Sequence, residues 1–453
     1  MKTPEFLWGA ATSSHQIEGG NKNNDWWNWE AEGRIEGGVR SGAATDHWSR
    51  RREDLLLAQS LGLNSYRFSI EWSRVDPEEG KWDDCAISWY RDLISDCEDL
   101  GLLPMLTLHH FTLPNWLASR GGFAAADAPE KFLRYVTKVS DAIGSRVPLW
   151  CTINESLVLI AGSYLGHFMP PGTYAPKSAS LASHGLLKSH VLAYDLLHSR
   201  LSSHREGRWA SHPLMVGYAH NMISIKPERK YHPFEALIAR KLNHLYNYAW
   251  IDATTGGDQH LGLVGVFPRA PLVAEARGRL KTDFIGVNYY TKGYVQWWPR
   301  AKDPHQVGRV PVGMSFARRR DASSDLEWAV YPKGLGKILQ SLRRYGLPIY
   351  ITENGIADRD DRLRPRYIVS HLSEVAHARE SGLDIRGYFH WSLLDNFEWI
   401  KGFWPRFGLY SVDYDTFERK ETASARLYRE IIRVHGAGAP DARVLRDFAR
   451  VGV

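Results

Sequence analysis

Short apolar runs recur along the chain, and each is followed by a segment with apolar residues about three or four positions apart. The first pattern predicts buried strands and the second predicts amphipathic helices. The eight predicted strands are Phe6–Ala11, Asn64–Ile70, Leu103–His109, Leu149–Ile153, Leu214–Ala219, Asp283–Asn288, Pro348–Thr352 and Ile385–Trp391. The predicted helices are Glu53–Leu61, Ile87–Leu100, Pro129–Ile143, Ser183–Leu201, Pro233–Trp250, Leu335–Tyr345, Arg366–Glu380 and Ala423–Val434. This alternation predicts an α/β protein, a closed (β/α)8 barrel with long βα loops.

The length of 453 residues would by itself suggest about three domains of roughly 150 residues each. Barrels of this kind, however, can exceed about 400 residues as one domain. No Gly/Ser tract, Pro run or compositional shift marks a linker inside the chain. We therefore predict that residues 1–453 form a single catalytic barrel domain.

Polar side chains stand at the predicted carboxyl ends of seven of the eight strands, where such barrels place their active sites. They are His15, Gln16 and Glu18, then Arg67 and Glu71, His109 and His110, Asn154 and Glu155, Asn288, Tyr289 and Tyr290, Glu353 and Asn354, and finally Trp391, Glu398 and Trp399. A structural scaffold would not need them. The fifth strand, which ends near His220 and Asn221, has the weakest pattern of the eight.

Two glutamates, Glu155 and Glu353, each end a short, mostly apolar run, where the fourth and seventh strands should stop and a loop begin. An unpaired carboxylate at the mouth of a core strand is costly to bury. Each glutamate alone could be a loop residue or an ion-pair partner. Since strands four and seven lie on opposite sides of an eight-stranded barrel, their ends face each other across its mouth. Together the two residues therefore predict a pair of catalytic carboxyl groups.

The chain contains 18 Trp, 21 Tyr and 16 Phe, and many Trp lie beside polar residues in predicted loops such as Asp25–Glu30 and Phe397–Trp399. A pyranose ring has apolar C–H faces that stack on indole and a rim of hydroxyls that bind amides and carboxylates. This mixture is typical of sugar binding, although aromatic packing beneath long loops is the alternative.

The charge, the cysteines and the hydropathy of the chain bear on its partners and its cellular location. The net charge is +6, but the basic residues are dispersed apart from Arg318–Arg320, so no nucleic-acid partner is predicted. Cys85, Cys97 and Cys151 do not make a disulfide framework, which favours a reduced, cytoplasmic protein. The first five residues form no apolar signal segment, and no stretch is long and apolar enough to span a bilayer, so no membrane partner is predicted.

Motifs for metals and cofactors are not found in the sequence. There is no H-E-x-x-H spacing, and neither a Walker nor a dinucleotide glycine pattern occurs. The adjacent His109 and His110 point to opposite faces of a strand, so only His110 is expected to face the mouth. We predict neither a metal nor a cofactor.

Four motifs resemble those of glycoside hydrolase family 1, the retaining β-glucosidases and β-galactosidases, within a similarity that runs from Phe6 to Leu409. They are His15–Gly19, Tyr66–Arg74, Thr352–Gly355 and Trp391–Trp399. The resemblance implies that Glu353 is the nucleophile and Glu155 the acid/base. It also implies that the nonreducing sugar is surrounded by Gln16, His110, Asn154, Glu398 and Trp399 and stacks on Trp391 beneath it. The nucleophile and the neighbouring hydroxyls would be held by Arg67, Asn288 and Tyr290. Trp328 would lie at the leaving-group site, and Phe407 would close the pocket.

The chain departs from the family pattern at two places. Ser156 follows the acid/base where Pro is common, and we expect it to cap the next helix. Phe111 and Thr112 stand where Trp and Asp are common, which is expected to alter one wall of the sugar site. The stretches Asp25–Glu30 and Lys292–Glu327 vary most in such proteins, so leaving-group preference stays open.

The expected protonation states follow from neighbouring charges. Arg67 and Tyr290 are expected to keep Glu353 ionised, and its charge should keep Glu155 protonated. Glu398 is expected to be a carboxylate that accepts hydrogen bonds from two sugar hydroxyls and repels a 6-phosphate. Lys401 is close in sequence and is expected at most to offset that charge.

The sequence thus predicts a retaining, exo-acting β-glycosidase that uses double displacement. Its expected substrates are small β-glucosides or oligosaccharides, with some β-galactosidase and β-fucosidase activity. A 6-phospho-β-glycosidase and a transglycosylase that favours sugar acceptors are the alternatives within the class. A non-catalytic sugar-binding barrel is less consistent with the sequence, because both glutamates are present. The sequence makes no prediction of the oligomeric state.

Overall fold

Eight parallel strands form a closed barrel in the computed structural model, which describes residues 5–257, 272–297 and 312–450. The strands are β1 (Leu7–Ala11), β2 (Ser65–Ser69), β3 (Leu103–His109), β4 (Leu149–Asn154), β5 (Met215–Asn221), β6 (Ile285–Asn288), β7 (Ile349–Asn354) and β8 (Ile385–Trp391). Neighbours in sequence pair with one another, and β8 closes onto β1. The predicted (β/α)8 fold is confirmed.

One long helix follows each strand and packs outside the barrel. These helices are α1 (His47–Ser60), α2 (Asp84–Leu100), α3 (Ala128–Ile143), α4 (Pro176–Leu201), α5 (Pro233–Asn247), α6 (Pro332–Leu342), α7 (Arg364–Glu380) and α8 (Ala423–His435). The predicted helix Pro233–Trp250 is in fact two, because a second helix runs over Ala249–Thr254. Helix α4 begins seven residues before its predicted start, at a proline suited to the first helical turn.

The βα loops carry most of the remaining structure. Their short helices span Ser14–Ile17, Asp25–Ala31, Trp72–Val75, Asn115–Ala118 and Ser156–Tyr164, and a further helix, Ala442–Arg450, follows α8. Turns of 3-10 helix span Glu36–Gly38, Gly122–Ala124, Gly144–Arg146, Ala274–Ala276, Arg343–Tyr345 and Trp399–Lys401. Ser224–Pro227, Lys292–Trp297 and Val312–Ser315 form a small sheet, and Tyr410–Val412 pairs with Arg419–Glu421. Residues 1–4 of the predicted N-terminal segment and residues 298–311 of the predicted variable stretch lie outside the described residues.

The strands are buried almost throughout, as expected for a parallel sheet covered on both faces. One apolar cluster joins the outer strand faces to the helices. A second cluster runs up the barrel interior from Leu7 and Met215 to Trp391 and Phe407 at the mouth. The residues at the mouth therefore lie above a packed barrel interior. Within the described ranges, no helix has the length and apolar character needed to cross a membrane.

Candidate active site

Glu353 lies in β7 at the barrel mouth and is almost completely buried, with 3% of its surface exposed. The Arg67 guanidinium donates to Oε1 at 2.5 Å, and the Tyr290 hydroxyl donates to Oε2 at 2.6 Å. Burial and the Glu353 charge raise the pKa of Tyr290 well above its ordinary value, so that its hydroxyl remains a donor. Both carboxylate oxygens of Glu353 are therefore hydrogen-bonded, one of them to a cation, which stabilises the anion.

Irregular strand pairing accompanies both glutamates. The register of β7 shifts between Ile351 and Glu353 against β6, and the register of β4 shifts between Cys151 and Asn154 against β5. Bulges of this kind redirect side chains and are frequent beside active sites. They explain why β7 continues to Asn354, past its predicted end, with Glu353 inside the strand.

Glu155 caps the helix Ser156–Tyr164 from a left-handed backbone conformation, with φ 48° and ψ 54°. This conformation is uncommon for residues other than glycine, and such strain costs of order 1–3 kcal/mol. Ser156 was expected to be the cap, but it is the first residue of the helix, because the chain turns at Glu155. The Glu155 backbone N–H is held by the carbonyl of Ala219 at 2.8 Å.

Among the described residues, only neutral groups donate to the Glu155 carboxyl group. The Asn288 and Asn221 amides both donate to Oε1, at 2.8 and 3.0 Å. Burial, followed by the Glu353 charge, raises the pKa of Glu155 to about 8. The two glutamates therefore have opposite environments, one suited to an anion and the other to a neutral acid at neutral pH.

Asn154 lies between the two glutamates and accepts from Arg67, which binds Glu353, and from Asn288, which binds Glu155. Its Oδ1 accepts from Arg67 at 2.8 Å and from Asn288 at 3.1 Å. Its amide NH2 must then donate to Nε2 of His110 at 3.1 Å, which makes that nitrogen an acceptor. Burial and the Arg67 charge hold the pKa of His110 well below its ordinary value, so the ring is neutral with its proton on Nδ1. Within the described ranges, that buried nitrogen has no partner, and it can donate to a bound hydroxyl.

Gln16 and Glu398 lie together at the far side of the mouth. The Gln16 amide donates to the Phe397 carbonyl at 2.9 Å and to Oε2 of Glu398 at 3.4 Å. Burial, and then the charges of Glu353 and Glu155, raise the pKa of Glu398 to about 8. Glu398 is thus mainly protonated near neutral pH, contrary to the expectation of a carboxylate, because three carboxyl groups share one buried site.

Lys401 does not offset Glu398. Its ammonium group pairs with Glu36 at 2.8 Å, on the exposed face of the loop. The proximity of Lys401 to Glu398 in sequence therefore does not bring a cation to the sugar end of the site.

Aromatic rings build the walls of the mouth. The His110 ring stacks against Trp391 and Trp399, with centroids 6.0 and 6.1 Å away. On the opposite side, Trp328 lies 5.7 Å from Tyr290 and 6.5 Å from Phe407. The site residues predicted from the sequence thus converge on one pocket at the carboxyl ends of the strands.

Phe111 and Thr112, at which the chain departs from the family pattern, have different structural roles. Phe111 packs edge-on against Trp399, at 5.2 Å, and so supports an aromatic wall. The Thr112 hydroxyl donates to Glu71, within 3.1 Å of both carboxylate oxygens, and belongs to a buried polar network behind the wall. The expected change to the sugar wall therefore concerns Phe111 only.

A sequence model described as glycosyl hydrolase family 1 matches residues 3–437. The chain belongs to glycosyl hydrolase family 1. Beta-galactosidase of Pyrococcus woesei is 31% identical to this family 1 chain, over 96% of the chain and 98% of the relative. Beta-glucosidase A of Thermotoga maritima is also 31% identical, over 96% and 98%.

Solved structures agree with this family 1 membership. The beta-glycosidase from Pyrococcus horikoshii has a TM-score of 0.84, with 38% identity over 100% of both chains. The Thermotoga maritima beta-glucosidase in complex with galacto-hydroximolactam also has a TM-score of 0.84, with 29% identity over 96% of this chain and 98% of that one. The protein is a retaining β-glycosidase, as the sequence predicted.

Two residues of this family 1 site were not predicted from the sequence. Asn221 ends β5, the strand with the weakest pattern, and β5 runs two residues beyond its predicted end. Tyr246 lies near the end of helix α5, far along the sequence from the end of any barrel strand, and donates to Asn221 at 2.8 Å. The sequence placed Asn221 near the end of the fifth strand but gave no reason to assign it to the site, and no sequence signal indicates Tyr246.

The raised pKa of Glu398 predicts a pH-dependent stability for this family 1 enzyme. The folded state keeps the Glu398 proton up to about pH 8, whereas the unfolded chain releases it near its ordinary value of 4.5. Stability should therefore fall as pH rises between these values. Glu398→Gln removes this loss, and should be more stable than the wild type at pH 8.5 by about 2–4 kcal/mol, with little difference at pH 4.

Urea unfolding at both pH values measures this effect, with exposed Glu418→Gln as the control for replacing any glutamate. A Glu398→Gln variant whose stability relative to the wild type does not change with pH would contradict the raised pKa.

Proposed function

We propose that this family 1 enzyme is an exo-acting β-glucosidase in which Glu353 is the nucleophile and Glu155 the acid/base. The observation that carries the proposal is the contrast between the two carboxyl groups. Glu353 binds a guanidinium and a phenol, while Glu155 accepts from two amides and has a pKa raised to about 8. Two carboxyl groups in such different environments are suited to opposite acid–base roles.

In the first step, a Glu353 carboxylate oxygen attacks the anomeric carbon while the bond to the leaving oxygen breaks. Glu155 gives its proton to that oxygen and becomes a carboxylate. Since Asn288 and Asn221 both donate to Oε1 of Glu155, its proton is carried by Oε2. The product is a covalent glycosyl ester of Glu353 and a free alcohol.

In the second step, Glu155 takes a proton from water, and the water oxygen attacks the anomeric carbon. The ester bond breaks and Glu353 is released as the anion that Arg67 and Tyr290 stabilise. Two inversions give net retention of the anomeric configuration. A hydrogen bond from Asn154 to the sugar 2-hydroxyl is expected to strengthen in both transition states.

The pocket supports recognition of a terminal sugar. Trp391 and Trp399 offer apolar faces, and Gln16, His110 and Glu398 offer hydrogen-bonding groups around them. Trp328 and Phe407 lie on the side proposed for the leaving group. The names of the relatives, which include beta-glucosidase and beta-galactosidase, support glucosides and galactosides as substrates.

We further propose that the substrate is unphosphorylated at O6. A 6-phosphate carries close to two negative charges near neutral pH. It would enter a buried site beside the Glu353 anion, and Lys401, which pairs with Glu36, offers it no cation. The kcat/KM for p-nitrophenyl β-glucoside should exceed that for its 6-phosphate by at least about a hundredfold, because the phosphate would be buried without a cation and O6 would lose its hydrogen bond to Glu398.

Glu398→Ser should narrow this gap mainly by losing activity on the plain glucoside. Glu36→Gln is the matched control: it removes an exposed carboxylate from the loop between β1 and α1, which pairs with Lys401 near Glu398. A wild-type enzyme that hydrolyses the phosphorylated compound faster would overturn this substrate class.

A cytoplasmic location is also proposed. It is supported by three unpaired cysteines, of which Cys85 is exposed while Cys97 and Cys151 are buried. Reduced thiols are the rule in the cytosol.

A further inference from the structure

We propose that Tyr246 and Asn221 are positioning residues for Glu155, and that they act in series. The Tyr246 hydroxyl orients the Asn221 amide, and that amide holds one oxygen of Glu155. The inference rests on the proposed acid/base role of Glu155 and adds a second support to the one provided by Asn288.

The orientation of the Asn221 amide in the structure fixes the direction of both hydrogen bonds. Tyr246 Oη lies 2.8 Å from Asn221 Oδ1, and Asn221 Nδ2 lies 3.0 Å from Glu155 Oε1. An amide oxygen only accepts and an amide NH2 only donates. The phenol must therefore donate to Asn221, and Asn221 must donate to Glu155.

The backbone on both sides of Asn221 is attached to the end of helix α5. The Asn247 side chain accepts from the Ile223 N–H at 2.9 Å and donates to the Ile223 carbonyl at 2.8 Å. Before Asn221, the His220 ring donates from Nε2 to the Tyr246 carbonyl at 2.9 Å. Burial lowers the pKa of His220 to about 4, so this ring is neutral. The end of α5 thus holds both the backbone and the side chain at the end of β5.

This arrangement favours proton donation by Glu155. An amide NH2 on Oε1 stabilises the carboxylate that remains after the proton leaves. Without the Tyr246 hydroxyl, the Asn221 amide is free to turn. Its oxygen would then face Oε1 and accept from a proton on that oxygen instead of on Oε2, which would hold the acid in its protonated form. The structure therefore gives Tyr246 an indirect role in acid catalysis.

Other ionisable groups act on Glu155 from several elements. They are Glu353 on β7, Arg67 on β2, Glu398 after β8, Tyr290 after β6 and Tyr246 on α5. Tyr246→Phe leaves the charges of the other four in place. A change in the titration of Glu155 in that variant therefore reports the loss of one hydroxyl.

The test compares Tyr246→Phe with Tyr248→Phe. Tyr248 lies just beyond the same helix and donates to Ser341 Oγ at 2.8 Å, so the control loses an equivalent hydrogen bond away from Glu155. The basic limb of the kcat/KM profile for p-nitrophenyl β-glucoside should move up by about half to one pH unit in Tyr246→Phe and stay in place in Tyr248→Phe. Turnover of p-nitrophenyl β-glucoside should fall about three- to tenfold, with less loss for the 2,4-dinitrophenyl compound.

Two further backgrounds make the result specific. In Glu398→Gln, which removes the other carboxyl group with a pKa near 8, Tyr246→Phe should still move the basic limb. Asn221→Ala should itself move the basic limb of the kcat/KM profile to higher pH. Adding Tyr246→Phe to Asn221→Ala should produce no further shift, since Tyr246 acts through Asn221. If Tyr246→Phe folds poorly, the shift of the basic limb in Asn221→Ala alone tests the inference.

An unmoved limb in Tyr246→Phe, or equal shifts in both tyrosine variants, would overturn the inference. So would additive shifts in the double variant. Azide rescue of Glu155→Ala separates this failure from failure of the proposed function. If azide rescues Glu155→Ala but the basic limb of Tyr246→Phe does not move, only the role of Tyr246 and Asn221 is contradicted. If azide does not rescue Glu155→Ala, the acid/base role of Glu155 is contradicted.

Discussion

Replacing Glu353 with Gln should reduce turnover of every β-glycoside by at least about 10⁴-fold, because an amide cannot form the covalent ester. The change keeps the shape of the side chain and leaves an oxygen that can accept from Arg67. The fold should therefore persist, although a buried guanidinium without its anion lowers stability. Circular dichroism with initial-rate assays on a panel of aryl glycosides measures both effects.

The matched control is Glu430→Gln, which removes an exposed carboxylate that also pairs with an arginine, Arg433. Its activity should equal that of the wild type. Incubation of the wild type with 2,4-dinitrophenyl 2-deoxy-2-fluoro-β-glucoside should attach one fluoroglucosyl group to the peptide that contains Glu353. Label on any other residue would contradict the assignment of the nucleophile.

Replacing Glu155 with Ala should produce a loss that depends on the leaving group. General acid catalysis contributes about 10²–10⁴-fold when the leaving oxygen is basic, and little when it is already stable as an anion. Cellobiose turnover should therefore fall by about that factor, while the first step with 2,4-dinitrophenyl β-glucoside should be nearly unchanged. The rates on both substrates, measured in parallel, test this expectation.

Added azide should restore the second step in Glu155→Ala, since a small anion can enter the space of the lost carboxyl group and needs no general base. The product should be β-glucosyl azide. Azide should leave the wild type unaffected, which provides the control. Equal losses on both substrates, with no azide product, would assign the acid/base role to another residue.

The number, order and type of the barrel elements could be predicted because each strand and helix carries its own pattern of apolar residues. The boundaries were less accurate. Strand β4 extends to Asn154 and β7 to Asn354, since register shifts against neighbouring strands determine where pairing ends. Such shifts depend on contacts between distant segments, which leave no local pattern.

Sequence alone determined the fold class and indicated Glu155 and Glu353, because the carboxyl ends of parallel strands meet at one face of the barrel. Only the tertiary structure decided which groups surround them. Lys401 pairs with Glu36, 365 residues away, and Asn221 receives its donor from Tyr246 on a helix. Burial beside two other carboxyl groups protonates Glu398 near neutral pH. Charge state and hydrogen-bond direction depend on what lies within a few ångströms, and the order of residues along the chain does not specify those neighbours.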